Sequence, residues 1–174
     1  MSRTHEQNIR ISFERSLSAK YMPNVKFQDY GEHIWVEGRF TPSKSNTRFC
    51  ARLLLSSDYP YRQPDLYVVE PKELRMYQSS TTLRDLGSSH DYHLYRDDSA
   101  EGVKVCFTDY WDASLNCVKV FMKLALWLEA YVGHLQTGKT IAVLIEELEK
   151  GNLSTSFLLR SLQAAGGQAG YRRI

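Results

Sequence analysis

No stretch of this chain stays apolar for the ~20 residues that a bilayer-spanning helix requires, so a membrane-embedded protein is not expected. Neither sign of charge dominates: 22 Lys and Arg stand against 20 Asp and Glu, a net charge of +2. That balance removes the electrostatic case for direct nucleic-acid binding. Cysteine is sparse. Cys50, Cys106 and Cys117 are odd in number and widely spaced, and no Cys-x-x-Cys pair occurs. Neither a disulfide framework nor a zinc site is expected, and nothing calls for a metal or a cofactor. The start, Met1-Ser2-Arg3-Thr4-His5-Glu6, is polar and lacks the apolar core of a secretory signal. A reduced, cytoplasmic protein is the expectation. Internal repeats are also missing. What is present is ordinary for a globular chain: 174 residues, 43% hydrophobic and 24% charged, enough for one domain with a full core.

Residues 4–21 read as an amphipathic helix. Thr4 and Gln7 have the spacing of a capping box, and Pro23 stops the helix. Ile9, Phe13, Leu17 and Tyr21 recur every four residues and predict one buried stripe. Strand signals follow. Val25, Phe27 and Asp29 lead to a turn at Gly31-Glu32. Ile34, Val36, Gly38 and Phe40 alternate with Trp35, Glu37 and Arg39, and Phe49, Ala51, Leu53 and Leu55 alternate again. After the stiff turn Tyr59-Pro60-Tyr61-Arg62-Gln63-Pro64, whose prolines exclude regular helix, Leu66, Val68 and Val69 form a fourth strand. The expected fold class is α+β: an N-terminal helix, a four-stranded antiparallel meander, a long central helix and C-terminal helices.

Residues 72–101 carry no regular period. They end in a charged loop, Arg96-Asp97-Asp98-Ser99-Ala100-Glu101. The run Gly102-Val103-Lys104-Val105-Cys106-Phe107 then presents a cysteine at the end of an extended segment. A central helix is expected from about Ser114 to Val132, capped by Asp112 or Ser114. Its stripe of Val118, Phe121, Met122, Ala125, Leu128 and Val132 is widened by Leu124, Leu126, Trp127 and Tyr131, which implies burial on more than one side. Gln136-Thr137-Gly138-Lys139 breaks it. Further helices are expected over Ile141–Lys150 and from Leu153 to about Ala165. The domain is thus drawn over 1–165, with 166–174 as a flexible, glycine-rich tail.

By residue type alone, Cys106 fits either a packed small side chain or a nucleophile. Cys50 and Cys117 read as structural. His93 is more simply a hydrogen-bonded structural histidine than a base, and Trp111 and Trp127 read as core. Lys104, two residues back in an extended segment, points to the side of Cys106 and is placed to lower its pKa. The acidic loop is most simply a solvated one. Gly133 to Thr140 spells a phosphate-binding loop letter by letter, but it follows a helix rather than a strand, which argues against nucleotide binding.

The ordered series resembles the ubiquitin-conjugating enzyme family over roughly residues 4–165. Tyr59, Pro60 and Pro64 match its Tyr-Pro-x-x-x-Pro turn. His93 matches its histidine, Gly102, Cys106 and Phe107 match its cysteine motif, and Trp111 matches the tryptophan that follows. His93 precedes Cys106 by thirteen residues, more than in the family, which implies an insertion in the acidic loop. Where eukaryotic members carry His-Pro-Asn this chain has His93-Leu94-Tyr95, so the asparagine that supports the oxyanion has no counterpart in that motif. Trp127-Leu128-Glu129-Ala130-Tyr131 and the break at Thr137-Gly138 are similar to the bacterial branch, found in anti-phage CBASS operons. The resemblance implies a stand-alone conjugating transferase. Cys106 would take the C-terminal glycine of a cyclic-oligonucleotide synthase, or of a ubiquitin-like protein, as a thioester and pass it on, with His93, Lys104 and Trp111 in support. Two alternatives stay open: a non-catalytic scaffold of the same fold, motivated by the missing asparagine, and a cysteine hydrolase built on Cys106 and His93.

Overall fold

The computed structural model describes residues 3–99 and 101–151. Helix α1 spans His5–Tyr21. Strands β1 (Lys26–Tyr30), β2 (His33–Phe40), β3 (Phe49–Leu55) and β4 (Asp65–Glu70) follow, then a short 3-10 turn at Leu83–Leu86. Strand β5 (Val103–Lys104) precedes helices α2 (Cys117–Thr137) and α3 (Ile141–Lys150). The sheet runs β1-β2-β3-β4-β5 with every neighbour antiparallel. Among the described residues the architecture is α+β, with an N-terminal helix, a meander and two helices after it. The expected helix over Leu153 to Ala165 and the tail 166–174 lie outside the described residues.

The sheet has five strands rather than the expected four. Val103 and Lys104 pair with Val68 and Tyr67 along the edge of β4. Two residues are too short to show a period of two in a sequence, and their partners lie some 35 positions upstream. Gly102 makes the pairing possible. Its φ is +151°, and a Cβ there would collide with the carbonyl oxygen of Val68.

The alternation in β2 and β3 is as expected. Ile34, Val36, Phe40, Phe49, Ala51, Leu53 and Leu55 are all buried on the inner face. Helix α2 covers that face, with Phe121 against Phe40 at 5.5 Å and Tyr131 edge-on to Phe49 at 6.0 Å between ring centroids. Leu124, Trp127, Leu128 and Ala130 are sealed as well, so α2 is buried on more than one side. It begins later than expected, capped by Asn116, whose side chain accepts from Lys119 N at 2.9 Å. Asp112 instead accepts from Ser114 N and holds the preceding turn. Gly138, left-handed at φ +75°, ends the helix as the Thr-Gly break implies.

Helix α1 corrects the expectation most sharply. Its capping box of Thr4 and Gln7 is present. Its buried face, however, is Gln7, Ile11, Glu14 and Ser18, while Ile9 is 58% and Phe13 51% exposed. The reason is a polar anchor. Glu14 is fully buried and accepts from Arg10 Nε at 2.8 Å, from the Tyr59 hydroxyl at 2.5 Å and from Cys117 N at 2.8 Å. A carboxylate set at the N-terminus of α2 also faces the positive end of that helix. These long-range bonds rotate α1 away from the face its apolar residues favour.

Candidate functional site

The site grows from two backbone segments brought side by side. Ser89 and Leu94 pair across a tight reversal, with Leu94 N donating to Ser89 O at 2.8 Å and His93 N to His90 O at 3.1 Å. His93 closes that turn at φ +51°, a left-handed position that histidine tolerates better than most residues. The reversal is tied to the helices behind it. Trp127 Nε1 donates to Tyr92 O at 3.0 Å, and Ala142 N, at the start of α3, donates to Asp91 O at 2.9 Å.

Leu94 then bridges Val105 antiparallel. Tyr95 N donates to Lys104 O at 3.0 Å, and Cys106 N donates to His93 O at 2.8 Å. Leu94 and Val105 turn into the core, so the alternate residues His93, Tyr95, Lys104 and Cys106 belong to the opposite face. Cys106 is the first residue to leave the sheet. Its thiol points at Thr108 O, 3.7 Å away. The next residue, Phe107, is buried and meets Trp111 edge-on at 6.3 Å. Trp111 is half-buried rather than core. It packs on Tyr59 at 6.2 Å and donates from Nε1 to Pro60 O at 2.7 Å. Its role is therefore to fasten the Tyr59–Pro64 turn to the cysteine loop.

Cys106 opens into a cavity of about 220 Å³ shared with His90, His93, Tyr95 and Asp109. A larger groove of about 680 Å³ continues past Tyr95 between the 3-10 turn and the acidic loop, lined by Arg84, Arg96, Asp97, Asp98 and Lys104. The other two cysteines have no such access. Cys117 is fully buried and Cys50 is 3% exposed. Burial pushes the Cys117 thiol well up, reinforced by Glu14, and burial with Glu37 and Glu70 pushes Cys50 up to about 11.

Lys104 is paired with a carboxylate. Its Nζ lies 3.0 Å from Asp65 and over the Tyr67 ring at 5.7 Å. The nearer carboxylate on β4 captures the ammonium. The start of α2 is likewise engaged with Glu14. His93 is held below the usual histidine range, first by burial and then by neighbouring His90. Its link to Cys106 is through the main chain, and its ring lies 6.0 Å from that of His90.

Two residues at this site escaped the sequence reading. The Tyr95 hydroxyl donates to Thr108 O at 3.4 Å, the same carbonyl that the Cys106 thiol faces, and Gln63, from the Tyr59–Pro64 turn, also acts on the phenol. The interaction of Tyr95 with Cys106 first, and burial second, hold the phenol above its usual range, so it keeps its proton. Period-two alternation through His93-Leu94-Tyr95 was the available signal for Tyr95. Nothing in the sequence marked Gln63. Among the described residues no group of three or more His, Cys, Asp or Glu side chains is placed to hold a metal ion. The letters of a phosphate-binding loop begin inside α2, where Gly133 to Thr137 are helical and His134 is buried, and only Gly138 to Thr140 lie beyond the helix. Comparison with known protein families and with curated proteins finds no match.

Proposed function

We propose that this chain is a ubiquitin-conjugating-like transferase of the bacterial defence type, with Cys106 as its acyl carrier. The observation that carries the reading is the contrast among the three thiols: Cys106 alone opens into a cavity, and Cys50 and Cys117 are sealed. The element order, a helix, an antiparallel meander, a Tyr-Pro turn and a cysteine loop pinned by Trp111, supports a ubiquitin-conjugating fold carrying a fifth strand. The acyl donor is a C-terminal glycine already activated as a thioester on a partner enzyme. Cys106 Sγ attacks the carbonyl carbon, the new C–S bond forms, the old one breaks, and the partner's thiol leaves. An acceptor amine then attacks the same carbon, the C–N bond forms, and Cys106 leaves as a thiol with the proton released by nitrogen. The source of the glycine is a cyclic-oligonucleotide synthase or a ubiquitin-like protein, and the compartment is the cytoplasm, where unpaired thiols stay reduced.

The test is intact-mass analysis under non-reducing conditions with the activated partner. Wild type should gain the mass of one partner, removable by thiol reductant, and Cys106→Ala should gain none. An adduct that survives Cys106→Ala but is lost with Cys50→Ala or Cys117→Ala sinks the assignment. Complete absence of an adduct favours the scaffold reading. The hydrolase alternative requires the His93 imidazole on the sulfur, and the Cys106 thiol is turned to Thr108 O instead.

A further inference from the structure

We infer that Tyr95 is the oxyanion donor of this site, its hydroxyl placed to hydrogen-bond the carbonyl oxygen of an acyl group carried by Cys106. The inference rests on the acyl-carrier reading and names the residue that makes transfer fast. Its basis is register. With Leu94 bridged to Val105, Tyr95 lies opposite Lys104 and one diagonal step from Cys106 on the same face. Such diagonal neighbours lie ~7–8 Å apart at Cα, a span that a tyrosine side chain covers. The Tyr95 hydroxyl and the Cys106 thiol converge on one acceptor, Thr108 O, at 3.4 and 3.7 Å.

Several other donors around the cysteine loop are committed elsewhere. The amide of Cys106 is bonded to His93 O, and Lys104 to Asp65. Lys123 Nζ donates to Phe107 O at 3.2 Å, and Thr108 Oγ1 donates to Tyr110 O at 2.7 Å. Tyr95 differs because its hydroxyl proton is spent only on a long contact, to Thr108 O at 3.4 Å, and turns from that carbonyl to the cavity it lines with Cys106 by a small rotation. A thioester oxygen is two bonds from Sγ, so a hydroxyl that reaches the sulfur reaches that oxygen with a small rotation. When an amine attacks, the carbonyl π pair moves onto oxygen, and Tyr95 shares its proton with the resulting anion without giving it up. The pair returns as the C–Sγ bond breaks. A donor fixed before charge develops requires no reorganisation in the transition state, which is where this kind of stabilisation is large.

The experiment uses the full chain and a short peptide ending in glycine as its 2-mercaptoethanesulfonate thioester. Three rates are measured for wild type and Tyr95→Phe: acyl transfer onto Cys106, release of the charged protein by hydroxylamine, and alkylation by iodoacetamide. Alkylation passes through no oxyanion and reports thiol access and an intact fold. Tyr95→Phe should slow both acyl steps about a hundredfold, the loss typical of removing one oxyanion donor. Its alkylation rate should stay within threefold of wild type. Acyl rates within threefold of wild type, or an alkylation rate that falls in parallel with them, overturn the role of Tyr95 and leave the acyl-carrier reading standing. A wild-type protein that alkylates at Cys106 but takes no acyl group overturns that reading and this inference together.

Discussion

The carboxylate of Glu14 accepts the amide of Cys117 at 2.8 Å across 103 residues of sequence, fastening the first helix to the first residue of α2. The same carboxylate takes the Tyr59 hydroxyl, and Tyr59 packs on Trp111, which holds the cysteine loop. Replacing Glu14 by Ala strands a buried hydroxyl and a buried amide and leaves Arg10 with the Leu115 carbonyl and a long contact to Tyr59. Breaking a buried ionic anchor from one side costs about 3–5 kcal/mol. Urea unfolding should show a loss of that order for Glu14→Ala and a smaller one for Glu14→Gln, which keeps an acceptor of the same shape. Equal losses for the two would show that volume, rather than bonding, is what Glu14 provides.

Gly102 sets how closely β5 approaches β4. An alanine there combines a left-handed backbone with a collision against Val68 O, main chain that cannot swing aside. Strain and overpacking of this kind add to roughly 3 kcal/mol. Because β5 leads directly into Val105 and Cys106, the Gly102→Ala protein should also alkylate at Cys106 with an altered rate. Amide exchange at Val103 and Val105 measures the displacement, and unchanged protection at both would contradict it.

The thiols should separate cleanly by reactivity. Cys50, pushed up to about 11, and Cys117, pushed higher by full burial, stay protonated and enclosed near pH 8. A disulfide-exchange reagent should therefore titrate one thiol quickly in the native protein and three after denaturation. In Cys106→Ala the fast thiol should vanish. A fast thiol remaining in that variant would place accessible chemistry at Cys50 or Cys117.

His93 makes a pH-dependent contribution of known sign. Burial and His90 hold its folded pKa below the ordinary value, while Asp109 and Glu149 oppose the shift in part. The unfolded chain therefore binds the proton first. The contribution is fully present above the ordinary histidine pKa of about 6.5 and is lost as pH falls from there through the lower folded value. Between pH 7.5 and 5.5 the urea midpoint of wild type should drop further than that of His93→Asn, a variant that tolerates the left-handed backbone. Parallel curves would show that His93 titrates alike in both states.

The sequence alone determined what short-range physics controls. The Thr4–Gln7 box joins residues three apart, the faces of β2 and β3 follow from the pleat, and α3 runs from Ile141 to Lys150 as its pattern requires. It also singled out Cys106 and the Tyr59, Pro60 and Trp111 that brace its loop. Tertiary structure decided the rest. The buried side of α1 follows Glu14, whose partners lie 45 and 103 positions away, against an apolar stripe of Ile9 and Phe13 that points outward. Lys104 meets Asp65 because the neighbouring strand brings that carboxylate to 3.0 Å, a partner that its own chain's periodicity does not reveal. Tyr95 comes beside Cys106 only because a two-residue strand sets the register that brings distant segments together. Local pattern fixes which way a side chain faces along its own element. Only the pairing of elements fixes what it meets there.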